Sequence, residues 1–367
     1  MKWKTALEEM KPYKPGKSIE EVKRTYGLTD IVKLASNENP YGTSQDVLDY
    51  LNKNPLQYEI YPDGHSSRLR KKLAEKHGVS EEAILFGNGS DEIITIICRA
   101  LLDEGKHTIM ATPTFPQYAH NAKIEGAAIT EIPLVDGFHD LEAFLDSITK
   151  DTAVIWICNP NNPTGNLTPV GEIIKFLNKV PEDVLVVLDE AYFEYITDEQ
   201  HVDSISLLKQ FKNIIVLRTF SKAYGLASMR LGYGVADPAV VTPLNKVRNP
   251  FNNNSLAVAV AEVAVMDNGF IETCRSLNDQ QRVRFQELAV RHGLHMFDSQ
   301  TNFVLIQVPT DADEASEFLL RQGYIVRSGN ALGTPGYIRV TIGTEEQNDG
   351  FFAAFEELLQ KGGSHEA

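Results

Sequence analysis

Residues 184–192 read Val-Leu-Val-Val-Leu-Asp-Glu-Ala-Tyr, an apolar run followed directly by two carboxylates. The run is too short for a helix and too uniformly apolar for a half-exposed strand. It therefore predicts a strand that is buried on both faces of a parallel sheet. Asp189 and Glu190 would lie at the carboxyl end of that strand, which is where ligands bind in open α/β sheets.

Similar apolar runs and helix-like stretches alternate through the first two thirds of the chain. The other strand-like runs are 83–86, 108–111, 153–158 and 214–217, and the helix-like stretches are 66–77, 90–102 and 169–180. Ser90 and Thr168 are suitable helix caps, and Pro169 suits a first helical position. This alternation predicts an α/β domain with right-handed crossovers.

The last part of the chain has a different pattern. Helix-like stretches at 277–292 and 313–322 stand among strand-like runs at 302–308, 324–327 and 337–342, which predicts a smaller α+β unit. We expect a large domain over 40–270 and a small domain formed by 1–39 and 271–360, with the ligand pocket between them. Residues 361–367 are polar, and we expect a disordered tail there.

Composition limits the possible functions. The formal charge is −15, with 35 Lys and Arg against 50 Asp and Glu, so nucleic acid and anionic membranes are unsuitable partners. No apolar run is long enough to span a membrane, and no secretory signal is visible over residues 1–15. Cys98, Cys158 and Cys274 are far apart, which favours buried free thiols over a disulfide or metal site. These features predict a soluble cytoplasmic protein.

The segment 87–91, Gly-Asn-Gly-Ser-Asp, joins a predicted strand to a predicted helix. Small residues let the backbone approach a phosphate, and a helix N-terminus supplies free N–H groups and a positive dipole end. Taken alone, the segment is equally an ordinary tight turn between a strand and a helix.

Asp189 has several possible roles at the end of its strand. A magnesium-binding role would require a phosphate loop, but 16–18, Gly-Lys-Ser, has Lys11 where the first glycine is needed and no strand before it. The remaining alternatives are a satisfied structural aspartate and an aspartate that faces a cationic ring nitrogen.

Lys222 lies in the segment 219–225, Thr-Phe-Ser-Lys-Ala-Tyr-Gly, directly after a predicted buried strand. A lysine that is desolvated near other cations has a lowered pKa and attacks carbonyl groups. The alternative is a solvated surface lysine.

Together these segments resemble a known family. The ordered motifs 87–91, Asn-Pro-Asn-Asn-Pro-Thr-Gly at 159–165, 189–192, Ser-Lys at 221–222 and Arg230 are similar to those of the fold-type I pyridoxal-phosphate aminotransferases, and most similar to those of the histidinol-phosphate aminotransferases. The likeness extends from about Tyr13 to Gly343. It implies a large domain with a mixed, mostly parallel sheet flanked by helices. One departure is Ser228-Met229, where the family often has Gly-Leu.

The resemblance implies roles around pyridoxal phosphate. Lys222 would form the Schiff base and move the proton, and Asp189 would pair with the ring nitrogen. Tyr192 and Asn162 would bind the phenolic oxygen, and Phe115 would stack on the ring unless it is a core aromatic. The phosphate would be held by Gly89, Ser90, Asp91, Ser221 and Arg230. Tyr61 resembles a tyrosine lent to the neighbouring subunit's phosphate, which implies a homodimer.

The resemblance also implies a substrate site. Arg339 matches the arginine that binds the substrate carboxylate, and Arg327 matches a second anion-binding arginine, with a surface ion pair as its alternative. Tyr13 would close over the substrate, and the loop at Asn37, together with Asn162, would line the pocket. Asn302 is expected on the small-domain side.

The implied reaction is ping-pong amino transfer between L-histidinol phosphate, as amino donor, and 2-oxoglutarate, in histidine biosynthesis. The alternatives are transamination of aromatic amino acids, alone or as a second activity, and decarboxylation of threonine phosphate. A non-catalytic carrier or regulator is a further alternative. Regulators of this family carry a DNA-binding domain ahead of the aminotransferase part, whereas only a few dozen residues precede Asn37 here.

Overall fold

The computed structural model describes residues 1–10, 19–55, 57 and 59–362. The strands are β1 (Val32–Lys33), β2 (Ile84–Gly87), β3 (His107–Thr112), β4 (Ala128–Pro133), β5 (Thr152–Cys158), β6 (Leu185–Asp189), β7 (Ile214–Thr219), β8 (Gly232–Ala236), β9 (Phe303–Gln307), β10 (Tyr324–Ile325), β11 (Arg327–Ser328) and β12 (Tyr337–Thr341). The helices are α1 (Ala6–Glu9), α2 (Ile19–Tyr26), α3 (Gln45–Lys53), α4 (Ser67–His77), α5 (Ser90–Leu101), α6 (Gln117–Glu125), α7 (Leu141–Asp146), α8 (Val170–Leu177), α9 (Pro238–Val247), α10 (Ser255–Ala264), α11 (Asn268–His292), α12 (Ala312–Arg321) and α13 (Glu345–Gly362).

The main sheet has seven strands in the order β2-β8-β7-β6-β5-β3-β4. β8 is antiparallel to both neighbours, and the other pairings are parallel. The prediction of a mixed, mostly parallel sheet is therefore confirmed, and each of the five apolar runs overlaps one of its strands. Consecutive residues such as Val186 and Val187 are fully buried in the cores on opposite faces, as a strand covered on both sides requires.

Two strands of this sheet did not stand out in the sequence. β4 is an edge strand with largely exposed or half-exposed residues, so it lacks a continuous apolar run. β8 contains Gly232 and Gly234, which weaken its strand signal. Gly232 has a packing reason, because a Cβ there would lie 2.6 Å from the backbone nitrogen of Ser90.

A smaller unit follows, built on the antiparallel sheet β11-β12-β9. Its core combines strand residues with residues of α11, α12 and α13, and it includes Leu34 from the N-terminal segment. β1 pairs in parallel with β10, so the chain start and this unit pack together. The predicted strand 324–327 is split, because the chain leaves its pairing with β1 and then pairs with β12 through β11.

α11 is longer than the predicted 277–292, because Asp267 caps it by accepting from the backbone N–H of Phe270. Its Ile271 packs in the core of the main sheet, and its Phe285 packs in the core of the smaller unit. One helix therefore contributes to both cores, and the domain boundaries at 39/40 and 270/271 stay predictions. α13 reaches Gly362, two residues into the expected tail 361–367, whose last five residues lie outside the described part.

Three further properties concern the cysteines, clusters of metal-binding side chains and membrane-spanning helices. The cysteines are buried and free, as the sequence predicts. In the described part of the chain, no cluster of His, Cys, Asp and Glu side chains could hold a metal ion. Nor does any helix described there combine the length and apolar character that a bilayer crossing requires.

Candidate active site

A cavity of about 720 Å³ brings most of the predicted site residues together. The segments after β5, β6 and β7 contribute to its wall, as do the start of α5, the N-terminal segment and strands β11 and β12. The predicted residues that line it are Asn37, Ser90, Asp91, Phe115, Asn162, Asp189, Tyr192, Ser221, Lys222, Arg230, Arg327 and Arg339. They are separated widely along the chain, and the sheet gathers them at one place.

Lys222 follows β7 and faces this cavity. Its Nζ donates to the carbonyl oxygen of Ser36 at 3.1 Å and lies 5.7 Å from the centre of the Tyr192 ring. Burial lowers the pKa of Lys222 to about 8, and the positive charge of Arg339 acts in the same direction. A larger share of the amine is therefore neutral near pH 7 than in an ordinary lysine, which favours attack on a carbonyl carbon. The structure does not support the alternative of a solvated surface lysine.

Asp189 ends β6 and is almost completely buried. Its Oδ2 accepts a hydrogen bond of 2.6 Å from the Tyr118 hydroxyl. Its Oδ1 is buried and has no hydrogen-bond partner among the described residues. Burial raises the pKa of Asp189 to about 6, against the opposing effect of the Tyr118 hydrogen bond. A buried carboxylate oxygen without a donor is costly in a protein that binds nothing there, so the arrangement favours the reading in which Asp189 faces a cationic ring nitrogen.

The start of α5 and the Arg230 side chain form a cup that suits a phosphate group. Arg230 Nη1 donates to Ser221 Oγ at 3.2 Å, and Nη2 lies 3.7 Å from a carboxylate oxygen of Asp91. Gly89, at the N-cap of α5, has φ +81°, and a Cβ there would lie 2.5 Å from Arg230 Nη2. Glycine therefore allows the guanidinium to approach the helix N-terminus, whose free N–H groups attract anions.

A buried hydrogen-bond chain holds Tyr192. Its hydroxyl accepts from Asn37 Nδ2 at 2.9 Å, and burial raises the pKa of Tyr192, so the hydroxyl stays protonated. Asn37 is fixed in turn, because its backbone N–H donates to Thr341 Oγ1 and its carbonyl oxygen accepts from Asn302 Nδ2. Asn302, expected to line the pocket, is therefore placed behind Asn37.

Two arginines stand opposite each other on the neighbouring strands β11 and β12. Arg327 and Arg339 are cross-strand partners. Arg339 is 7% exposed and donates to Asn162 Oδ1 at 2.6 Å and to the carbonyl oxygen of Ala35 at 2.9 Å. Arg327 is half-buried and forms no ion pair with any residue the structure describes, so its alternative reading as a surface ion pair is not supported. The pair supplies two guanidinium groups for anionic ends of a substrate.

Gly89, Asn302 and Tyr61 are predicted residues that do not line this cavity. Tyr61 is 79% exposed and stacks on Phe251, with ring centroids 4.9 Å apart. Tyr13 lies outside the described residues. Within one chain, therefore, Tyr61 does not meet the phosphate cup, and its proposed role needs a second copy.

Helix α6 contributes residues that the sequence reading missed. Gln117 and His120 line the cavity, and Tyr118 lies behind Asp189. Gln117 and His120 are three positions apart and share one face of α6, and their position shortly after Phe115 was the available signal.

Known proteins resemble this chain in sequence and in fold. The family model "aminotransferase class I and II" matches residues 29–355. A histidinol-phosphate aminotransferase of Lysinibacillus sphaericus (strain C3-41) is 52% identical over 363 residues, covering 99% of each chain. That of Bacillus velezensis is 53% identical over 98% of this chain and all of the relative. The crystal structure of the Sinorhizobium meliloti histidinol-phosphate aminotransferase in complex with pyridoxal-5'-phosphate has a TM-score of 0.88 and 27% identity, covering 98% of both chains.

Proposed function

Because the chain belongs to the class I and II aminotransferases, we propose that it uses pyridoxal phosphate to move the amino group between L-histidinol phosphate and 2-oxoglutarate, in histidine biosynthesis. The observation that carries the proposal is one cavity that holds both Lys222, with its lowered pKa, and the unpartnered Oδ1 of Asp189. The relatives named for this reaction, identical at about half of all positions, support the substrate.

The residues present fit the cofactor group by group. When bound, pyridoxal phosphate supplies a carbonyl carbon for amines and a cationic ring that withdraws electrons from the substrate. Asp189 Oδ1 would accept the ring N–H, which would give this oxygen a donor. The cup formed by α5, Ser221 and Arg230 would hold the phosphate.

Two donors suit the phenolic oxygen of the ring. The Tyr192 hydroxyl accepts from Asn37 and keeps its own proton, so it is free to donate. Asn162 Oδ1 already accepts from Arg339, so Nδ2 is the Asn162 atom that can donate to the cofactor. Phe115 would cover one face of the ring and exclude water from it.

Lys222 would have two successive tasks. Its neutral amine would hold the cofactor through the carbonyl carbon that this group supplies for amines. With substrate bound, its Nζ would hold or move a proton at the substrate α-carbon. A pKa of about 8 suits both directions of this transfer, because such an amine accepts and returns protons near neutral pH.

Arg327 and Arg339 would bind the anionic ends of successive substrates. A ping-pong reaction requires one pocket to accept a phosphate in one half and carboxylates in the other. The neighbouring guanidinium groups on β11 and β12 can meet both kinds of anion. Two-substrate initial-rate plots should accordingly give parallel lines.

The active unit would be a cytoplasmic homodimer. Tyr61 is exposed together with Ile60 and Phe251, which makes an apolar surface beside the chain segment that carries it. In a dimer this surface would be covered, and Tyr61 would reach the phosphate held by the other subunit. Sedimentation of the purified protein should give twice the chain mass of 40.9 kDa.

A survey of half-reactions tests the substrate. The yellow holoenzyme would be mixed in turn with histidinol phosphate, phenylalanine, tyrosine and threonine phosphate, without any keto acid. We expect histidinol phosphate to bleach the visible absorbance of the lysine-bound cofactor fastest. A faster response to the aromatic amino acids would make them the substrates, and CO2 release from threonine phosphate would indicate a decarboxylase. No response to histidinol phosphate would contradict the assignment.

A further inference from the structure

Tyr118 on helix α6 lies directly behind Asp189. Its hydroxyl donates to Asp189 Oδ2 at 2.6 Å, and both side chains are buried. The other carboxylate oxygen, Oδ1, has no partner within the part of the chain that the structure describes. The phenol therefore occupies one side of the carboxylate and leaves the other side for a ligand.

The Tyr118 ring is held from two sides. It stacks on Trp156, with centroids 4.8 Å apart and planes 15° apart, and it meets the edge of Phe115 at 5.6 Å. Trp156 is fixed in turn, because its indole N–H donates to Thr108 Oγ1 at 2.8 Å. A ring packed in this way cannot swing its hydroxyl aside, so the hydroxyl sets the orientation of the carboxylate it binds.

Charge around Asp189 makes this hydrogen bond important. Burial raises the pKa of Asp189 to about 6, and the negative charges of Asp91 and Glu190 act in the same direction. The Tyr118 hydroxyl opposes them most strongly, and the backbone N–H of Ala191 acts in the same direction, because a donor stabilises the ionised form. Other titratable groups line the same cavity: Cys158 at the end of β5, Tyr192 after β6, Lys222 and Arg230 after β7, His120 on α6, and Arg327 and Arg339 on β11 and β12.

We propose that Tyr118 is a positioning residue for the ring nitrogen: by donating to Oδ2 it keeps Asp189 ionised and aims Oδ1 at the ring N–H. The inference rests on the proposed function, since it presupposes that ring. Tyr118 acts through Asp189. Without the phenol, the carboxyl takes up a proton more readily, and a protonated carboxyl is a poorer acceptor for the ring N–H.

The test compares two ligands of the apoenzyme. One is pyridoxal phosphate, and the other is its analogue in which a C–H group replaces the ring nitrogen. Unmodified protein should prefer pyridoxal phosphate, because only that ligand can donate to Asp189. Tyr118→Phe should lower the preference about tenfold, the size of one hydrogen bond to a charged group. It should also move the acidic limb of pyridoxal-phosphate binding upward by about one pH unit.

Tyr233→Phe is the matched control. The Tyr233 hydroxyl is also buried and hydrogen-bonded, to His77 Nε2 at 3.0 Å, but it lies outside the cavity. Its loss should leave both the preference and the pH limb unchanged. If Tyr118→Phe weakens both ligands by the same factor, or changes neither, the hydroxyl has only a structural role and the inference is wrong.

Replacement of Tyr118 by 4-aminophenylalanine adds a second test that does not depend on how well the phenylalanine variant folds. The aromatic amine is a weaker donor at the same position, so both the preference and the pH limb should be intermediate. Values equal to those of the unmodified protein would overturn the inference.

Different outcomes contradict the proposed role of Asp189 and the proposed role of Tyr118. If unmodified protein does not bind pyridoxal phosphate, or binds both ligands equally, then the proposed use of Asp189 fails. If unmodified protein discriminates and Tyr118→Phe discriminates just as strongly, only the role of Tyr118 fails.

Discussion

Asp189 and Glu190 are consecutive residues at the end of one buried strand, and they differ in what compensates their burial. They are 3% and 1% exposed, and burial raises the pKa of both. Glu190 Oε2 accepts two hydrogen bonds from Arg218, at 2.9 and 2.6 Å, on the face away from the cavity. Asp189 faces the cavity, and no cationic side chain of the described residues is bonded to it. Glu190 Oε1 also lacks a hydrogen-bond partner among the described residues, so the difference lies in the cation. Arg218 supplies that cation to Glu190, and Asp189 faces the cavity instead.

The contacts around Arg218 stabilise the fold. Arg218 also binds Asp203 at 2.8 Å, and its guanidinium carbon lies 3.4 Å from the centre of the Phe193 ring. Changes on this face should reduce the free energy of unfolding and leave the chemistry intact. Changes on the cavity face should impair the chemistry without reducing the free energy of unfolding. Single substitutions on each face can test this difference.

The largest effect is expected for Lys222→Ala. On the proposed function, the variant would lack both the amine that binds the carbonyl carbon and the base that moves the proton, so turnover should fall about 10⁴-fold or more. It should still bind pyridoxal phosphate through the phosphate cup and Asp189, without the visible absorbance of the lysine-bound form. Stopped-flow transamination assays and equilibrium dialysis measure the two properties.

Lys76→Ala is the control for Lys222. Lys76 lies at the surface, desolvation of its amine lowers its pKa, and it donates to the carbonyl oxygen of Val265 outside the cavity. Its replacement should leave turnover within a few-fold of normal. Normal transamination by Lys222→Ala would contradict the proposed function at its centre.

On the other face, Arg218→Met should cost about 3–5 kcal/mol of unfolding free energy. The substitution leaves the buried Glu190 carboxylate without its cation, which is costlier than the net value of the pair. Urea unfolding of the apoprotein measures the loss, and the pyridoxal-phosphate affinity of the folded fraction should stay unchanged. If Arg218→Met were stable but bound the cofactor poorly, the Arg218 face would serve cofactor binding and the proposed difference between the two faces would be wrong.

Asp189→Asn should have the opposite effect on stability. The folded-state pKa of about 6 lies above the ordinary value of 3.8, so the folded apoprotein holds this proton more tightly than the unfolded chain does. Its contribution is therefore most favourable below pH 4 and is lost as the pH rises through 6. At pH 7, Asp189→Asn should stabilise the apoprotein by about 1–3 kcal/mol while it weakens pyridoxal-phosphate binding.

Thermal unfolding of both apoproteins from pH 4 to pH 8 checks this. The unmodified protein should lose stability relative to Asp189→Asn across the window between pH 4 and 6. Parallel curves would mean that Asp189 is already compensated without a ligand.

The sequence predicts the site residues best where a reactive side chain comes directly after a buried strand. The runs that became β6 and β7 are apolar because both faces are covered, so Asp189 and Lys222 could be found from the strands that precede them. Tyr118 could not be found in this way, because its hydrogen bond joins residues 71 positions apart, from a helix to a strand end. The role of Tyr61 depends on a second chain, and no pattern within one chain tests it.

The smallest expected effect is the difference in KM between lysine substitutions of Arg339 and Arg327, which both line the cavity. Arg339 is held as a fork by Asn162 Oδ1 and the Ala35 carbonyl oxygen, whereas Arg327 is half-buried and has no ion pair with the described residues. Lysine keeps the charge of Arg339 but loses the fork that matches a carboxylate, so Arg339→Lys should raise KM for glutamate about tenfold. Arg327→Lys should raise KM for histidinol phosphate only a few-fold, because lysine still binds a phosphate as a point charge. Steady-state kinetics with each substrate varied in turn measure both. If Arg339→Lys raised the two KM values equally, the two arginines would not differ in the anions they bind, and the held fork would be structural, like Arg218.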